Sequence, residues 1–177
     1  FREASKFNQD LNNWNVGNVK NMGYMFNLAS AFNGDIRNWD VGNVTSMSHM
    51  FHDAKAFNNY IGGWNVSNVQ DFAAMFYATP FNQDIGDWDV SKATTMNQMF
   101  YQAKAFNQDL GDWDMSNATS ISQMFRGATA FNGDIGGWDV SKLTSMYYVF
   151  QGASAFNRDI GGWDVSNVTS MERMFES

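Results

Sequence analysis

Cysteine is absent from the 177 residues, proline occurs once, and the two histidines, His49 and His52, lie three residues apart. Without cysteine the chain can form no disulfide and use no thiolate, and two histidines on one short segment do not support a Ser-His-Asp triad. No apolar run approaches the roughly 20 residues of a membrane span. We therefore expect neither an enzyme nor a protein that inserts into a membrane.

Basic residues are also scarce, since 11 lysines and arginines stand against 18 acids and leave a net charge of −7. A nucleic-acid backbone requires a basic surface on its partner. The charge therefore argues against nucleic acid as a partner and favours cationic groups.

The sequence is rich in repetition. Tryptophan recurs at intervals of 25, 25, 24, 25, 25 and 25 residues. The tryptophans are Trp14, Trp39, Trp64, Trp88, Trp113, Trp138 and Trp163. Such a period is typical of proteins that stack small units, each of which buries its apolar face against its neighbours. We predict a single domain over residues 1–177, made of seven units.

Both ends of the chain follow the repeat template instead of a polar capping sequence. Uncapped ends of a stack leave apolar surface exposed to water. We expect the chain to be a block from a longer array, and the isolated block to self-associate end to end.

The second half of each unit has a helical apolar period. In the second copy the i, i+3, i+4, i+7 spacing is followed by Met47, Met50, Phe51 and Ala54. The hydroxyl of Thr45 or Ser46 is placed to cap the N-terminus. The pattern predicts a helix of two to three turns in each unit, held by packing because isolated helices of this length are unstable.

A short strand is predicted before each helix, because Trp39 and Val41 alternate with Asp40. The predicted fold class is α/β: a solenoid of seven 25-residue strand-turn-helix units, with the helices on one wall and the strands on the other.

The motif F-N-x-D-I-x-x-W-D-V-S-x-V-T-x-M-x-x-M-F, present over residues 156–175, resembles a bacterial surface-protein repeat of about 26 residues. That repeat is known from mycoplasma lipoproteins and listerial surface proteins and is grouped with BspA-type leucine-rich repeats. The resemblance implies a leucine-rich-repeat-like solenoid, an extracellular or cell-surface location and a role in adhesion. It brings no catalytic residues.

Two recurring residues have both a structural and a functional interpretation. Tryptophan is either a buried ladder or an exposed platform for sugar rings, and sharing a strand face with valine favours burial. An asparagine precedes each Trp by six residues, where it bonds its own backbone or a stacked neighbour. These asparagines are Asn8, Asn33, Asn58, Asn82, Asn107, Asn132 and Asn157.

The fourth interval is short by one residue. This copy has Ala78-Thr79-Pro80-Phe81 where the preceding one has Ala54-Lys55-Ala56-Phe57. We expect a local kink there and no domain boundary.

Eleven of the 18 acids fall in two columns of the repeat. The turn column, four residues before each Trp, is suited to bonding backbone amides. Its members are Asp10, Asp35, Asp84, Asp109, Asp134 and Asp159. The strand column, directly after each Trp, has no such evident structural role. Its members are Asp40, Asp89, Asp114, Asp139 and Asp164.

We predict that the strand column is a binding site for a cationic group. Lysine or arginine of a protein partner fits, and calcium is an alternative although single carboxylates supply few of its six to eight ligands. The competing interpretation is that each aspartate bonds nearby serine or backbone groups and is merely solvated. His49 and His52 could hold a metal with Asp53, but a solvated surface is favoured, so the metal remains unknown.

The predicted function is adhesion or recognition of a protein or glycan on another surface. A structural spacer that displays other domains is the main alternative. An ice- or mineral-binding array is the second, because the regular threonines could match a lattice, although Lys20 and Gln70 interrupt them.

Overall fold

The computed structural model describes residues 1–176, and in it each repeat forms one layer of a stack. Main-chain hydrogen bonds join residues 24 or 25 positions apart, as from Phe51 N–H to the Met75 carbonyl (3.0 Å). Within the described residues there is no α-helix and no β-strand. Pairing of the strand type is confined to isolated parallel bridges. These join Asn21 to Ser46, Ser46 to Asp71, Asp71 to Thr95, Thr95 to Ser120, and Ser145 to Ser170.

The predicted α/β solenoid of strand-turn-helix units is therefore wrong. In the segment expected to be helical, residues 47–54, the internal bonds span three residues: Met50 N–H donates to the Met47 carbonyl (3.1 Å) and Ala54 N–H to that of Phe51 (2.9 Å). An α-helix requires bonds that span four. Here other N–H groups of the segment donate to carbonyls of the next layer, as His49 N–H does to the Ala73 carbonyl (2.7 Å). We call this series of turns the turn segment.

The helical prediction failed although the buried face was identified correctly. Met47, Met50, Phe51 and Ala54 are fully buried, as the apolar period indicated. Successive turns bring the same positions to one side as a helix would. Thr45, predicted as a helix cap, instead donates its hydroxyl proton to the Lys20 carbonyl of the preceding layer (3.1 Å).

Two residues in each complete turn segment adopt positive φ angles. His49 has φ 56° and occupies the third position of a four-residue turn, the position that is left-handed in a type II turn. The first left-handed position comprises Tyr24, His49, Ala74, Gln98, Gln123, Tyr148 and Arg173. The second comprises Glu3, Leu28, Asp53, Ala78, Gln102, Gly127 and Gly152. A non-glycine residue in this region costs about 1–2 kcal/mol, so the bonds between layers must offset that strain.

The predicted strand also fails to form, although its alternation of side chains is present. Trp39 and Val41 are buried and Asp40 is exposed. The main chain turns on both sides, because Trp39 N–H donates to the Ile36 carbonyl (3.2 Å) and Val44 N–H to that of Val41 (2.9 Å).

Aromatic ladders fill the core along the stack. The prediction that tryptophan is buried is confirmed for six of the seven, and Trp14 is 50% exposed in the first layer. Trp39 and Trp64 stack with centroids 6.3 Å apart. Each buried indole N–H donates to a carbonyl of the preceding layer, as Trp138 does to Leu110 (2.8 Å). Buried indoles whose N–H groups are satisfied cannot serve as a platform for sugar rings.

The recurring asparagines form a continuous ladder at the surface. The side-chain oxygen of Asn82 accepts the main-chain N–H of Asn107 (2.9 Å), and that of Asn107 accepts the N–H of Asn132 (2.7 Å). The predicted structural role is confirmed. Each asparagine side chain accepts a bond from the main chain of the next layer. Within residues 1–176 it does not bond its own backbone or the side-chain amide of a stacked asparagine.

The short fourth repeat loses its residue from the link between the turn segment and the next phenylalanine. Thr79 takes the buried alanine position, 3% exposed, where its hydroxyl donates to the Phe76 carbonyl (3.0 Å). Pro80 alone then spans what two residues span in neighbouring layers. Pairing continues across this point, since Phe76 N–H donates to the Met99 carbonyl (2.9 Å).

Apolar side chains are exposed in the terminal layers. Phe1 and Trp14 lie in the first layers, and Met171 and Phe175 lie in the last. Among the described residues no helix is long and apolar enough to cross a membrane.

Candidate functional site

The five aspartates that follow tryptophan are all exposed. All but Asp164 lie between two buried neighbours in the sequence, since Val165 is exposed in the last layer. We call Asp40, Asp89, Asp114, Asp139 and Asp164 the acidic row. Four members occupy consecutive layers. Asn65 separates Asp40 from the other four, and Asn15 holds the same position in the first repeat.

Every member of the acidic row bonds a backbone group, as the competing interpretation predicted, and so has a structural role. The side-chain oxygen Oδ1 accepts the main-chain N–H of the residue two positions later, which forms an Asx turn. The bonds run from Gly42 to Asp40 (3.1 Å), Ser91 to Asp89 (3.1 Å), Ser116 to Asp114 (3.0 Å), Ser141 to Asp139 (3.0 Å) and Ser166 to Asp164 (3.0 Å). The expectation that this column lacks such a role is wrong.

The turn does not require the negative charge. Asn15 accepts the N–H of Gly17 at 3.2 Å, and Asn65 accepts that of Ser67 at 3.2 Å, so a neutral amide closes the same turn. The turn explains why the position holds an Asx residue. It does not explain why four consecutive layers carry aspartate.

Hydrogen bonds from serine lower the pKa of three members of the acidic row. Donation from the Ser91 hydroxyl and main-chain N–H lowers the pKa of Asp89, and Ser141 lowers the pKa of Asp139 in the same way. The main-chain N–H and hydroxyl of Ser166 lower the pKa of Asp164, against a smaller upward contribution from the charge of Asp139. For Asp164, the bonds from Ser166 therefore outweigh the repulsion from Asp139.

Two lysines lie beside the acidic row. Lys92 Nζ donates to Asn68 Oδ1 (2.7 Å), and Lys142 Nζ donates to Asn117 Oδ1 (2.8 Å). Their charges contribute to the lowered pKa of Asp89 and Asp139. The layers of Asp114 and Asp164 carry asparagine at the lysine position. A lysine charge therefore accompanies the aspartate only in alternate layers.

The turn column behaves as predicted. Asp84 accepts the Gly86 N–H (2.9 Å) and Asp159 accepts the Gly161 N–H (2.8 Å). Some members also join layers, as where Asp109 accepts the N–H of Asp134 (2.9 Å). Four of these acids, which are exposed and lie in consecutive layers, provide a matched set for comparison with the acidic row: Asp84, Asp109, Asp134 and Asp159.

The two histidines lie in a half-buried stack of rings. His49 stacks on Tyr24 with centroids 4.6 Å apart, and His52 stacks on Tyr77 at 4.2 Å. Burial lowers the pKa of both histidines. The expectation that both histidines lie on a solvated surface is therefore wrong, because their rings are half-buried. In residues 1–176 no group of three acidic or histidine side chains is arranged to hold a metal ion.

The stack containing the histidines was missed by the sequence analysis. Tyr77 stacks on Tyr101 at 4.4 Å, and the Arg126 guanidinium lies over the rings of Tyr101 (5.5 Å) and Tyr148 (4.7 Å). The ring faces are covered by neighbours, so mainly their edges meet solvent. The signal was the spacing of 24 or 25 residues between aromatic positions on the outer side of the turn segment.

A family described as Mycoplasma protein of unknown function, DUF285, matches residues 1–80, 43–132 and 107–177. The three overlapping matches cover the chain and confirm its repetitive organisation. No curated protein and no solved structure shows significant similarity to it. This match supports the mycoplasma part of the expected resemblance. The chain thus belongs to the Mycoplasma family of unknown function, DUF285.

Proposed function

We propose that this protein is a recognition module whose acidic row binds lysine or arginine side chains of a protein partner. The observation that carries the proposal is the charge of Asp89, Asp114, Asp139 and Asp164 in consecutive layers, which the Asx turns do not need. Asparagine at the same position would close the turn without repulsion between layers.

The charge has a physical cost that a partner would relieve. Two carboxylates in water about 4 Å apart repel by about 1 kcal/mol, and by more where protein lowers the local dielectric. An ammonium or guanidinium group bridging two members of the row would replace this repulsion with charge-assisted hydrogen bonds. Calcium is less well supported, because a row of single carboxylates supplies few of its ligands.

The location that we propose is the cell surface or the extracellular space, with adhesion as the role. The support is the resemblance of the motif to repeats of bacterial surface proteins. Contacts between copies form a second part of the proposal, since exposed Phe1 and Trp14 at one end and Met171 and Phe175 at the other could pack end to end.

The test is to convert Asp89, Asp114, Asp139 and Asp164 together to asparagine. The control converts Asp84, Asp109, Asp134 and Asp159 to asparagine, which removes the same four charges from the turn column. Binding of a lysine-rich peptide and of host cells is measured for both variants. The acidic-row variant should bind about tenfold or more weakly than the control, because it loses the charges that the partner contacts.

The alternative of a structural spacer predicts a different result. A spacer needs rigidity along the stack and no chemistry specific to one column. Equal binding by the two variants, or binding unchanged from the wild-type protein, would favour the spacer and reject the acidic row as a recognition site.

A further inference from the structure

The short link in the fourth repeat leaves a cavity on the side of the stack. It has a volume of about 600 Å³, within the range of small-ligand pockets. We call it the Pro80 notch. Its principal lining residues are Asp53, Lys55, Tyr77, Pro80, Gln102 and Lys104.

The notch follows from the missing residue. The layers on either side carry the two-residue links Lys55-Ala56 and Lys104-Ala105, and the layer between them has only Pro80. The shorter link withdraws toward the core, where Thr79 anchors it through the Phe76 carbonyl. The gap is therefore specific to this point of the stack.

The notch carries positive charge in an acidic protein. Lys55 pairs with Asp53 and also donates to the Ala78 carbonyl (3.2 Å), so it is held against the wall. Lys104 is exposed and makes no ion pair within residues 1–176. One lysine charge thus remains unbalanced, which favours an anionic occupant.

The remaining groups are suited to a ligand with hydroxyl groups. Tyr77 offers a hydroxyl, Gln102 an amide and Asp53 a carboxylate, so donors and acceptors surround the apolar Pro80. Stacking on Tyr77 is blocked, because His52 and Tyr101 cover its two faces at 4.2 Å and 4.4 Å. Recognition here must therefore be polar.

We propose that the Pro80 notch binds a carboxylate-bearing sugar residue. Lys104 contacts the carboxylate of the sugar. Asp53 accepts a hydrogen bond from one sugar hydroxyl group, and the Gln102 amide donates one to another. The site is separate from the acidic row and selects a ligand of opposite charge, so it stands or fails independently of the proposed function.

Calorimetric titration with cellobiouronic acid tests the proposal. The matched ligand is cellobiose, which carries a hydroxymethyl group in place of the carboxylate. The wild-type protein should bind the acid and bind cellobiose at least about tenfold more weakly, since one charge-assisted contact is lost. Lys104→Gln should reduce the affinity for the acid to that for cellobiose. Lys92→Gln, which removes an equal charge beside the acidic row, should leave the affinity unchanged.

A second variant tests the cavity itself. Replacing Pro80 with the dipeptide Lys-Ala restores the link that precedes Phe57 and Phe106, and should fill the notch and abolish binding. Absence of binding to the wild-type protein, equal affinity for both sugars, or full binding by the Lys-Ala variant would overturn the proposal. Binding of a glutamate-rich peptide without binding of the sugar acid would also overturn it, in favour of a protein ligand.

Discussion

Replacing Gly152 with alanine should destabilise the protein, whereas the same change within an α-helix would stabilise it. Gly152 has φ 69°, and a Cβ atom added there would lie 3.7 Å from its nearest neighbour, which is ordinary contact. Steric clash therefore does not contribute. A left-handed alanine costs about 1–2 kcal/mol, and the lower entropy of the unfolded chain returns about 0.5–1 kcal/mol. The net loss in the free energy of unfolding is about 1 kcal/mol.

Gly63→Ala is the matched control, because the space around its Cβ position is open and its φ lies outside the left-handed region. Alanine there should stabilise the protein by about 0.4–1 kcal/mol. Urea unfolding followed by tryptophan fluorescence gives both values from the shift in midpoint at a common slope. If Gly152→Ala stabilises the protein as a helical substitution would, by about 1 kcal/mol, the account of the turn segment is refuted.

Three further predictions concern the ladders and the acidic row. Trp138→Ala should cost about 3–5 kcal/mol in the free energy of unfolding, because the indole is 3% exposed; an unchanged urea midpoint would contradict this burial. Asn107→Ala should cost about 1–2 kcal/mol, because it leaves the Asn132 N–H without its acceptor. Asn157→Ala, at the end of the described ladder, should cost less in the same urea experiment, and equal losses would argue against the ladder. The pKa values of Asp89, Asp139 and Asp164 are lowered by folding, so their stabilisation is present above the unfolded pKa of about 3.9 and lost as pH falls through the folded values. Thermal unfolding from about pH 5 to about pH 2 should therefore show a steeper loss in the wild-type protein than in the acidic-row asparagine variant, and parallel curves would contradict the lowered values.

Burial could be predicted from the sequence because side-chain period alone determines which residues face the core. Met47, Phe51 and Trp39 are buried as their spacing indicated. The direction of the peptide groups could not be predicted, since a helix and a series of turns place the same residues on one face. Glycine would have revealed the left-handed positions, but residues such as His49 and Gln98 occupy most of them.

The exposure of the acidic row was predicted correctly, whereas its role as a binding site stays a prediction. The exposed aspartates that follow five of the seven tryptophans were identified from alternation alone. Their bonds to serine or backbone groups were only the competing interpretation, although Asn15 and Asn65 at the same position and the small residue two places later were a signal for Asx turns. The Pro80 notch was visible only as a 24-residue interval, because a cavity depends on the neighbouring layers as well as on the local sequence.

The central claim, that a cationic partner contacts the acidic row, is tested most directly by amide chemical shifts. The N–H groups of Ser91, Ser116, Ser141 and Ser166 donate to the four consecutive carboxylates and therefore report on them. In a titration with a lysine-rich peptide these four resonances should shift together and saturate at one affinity. The N–H groups of Gly86, Gly136 and Gly161, which donate to turn-column aspartates, should shift little. Equal shifts in both sets, or shifts confined to the glycines, would contradict the claim.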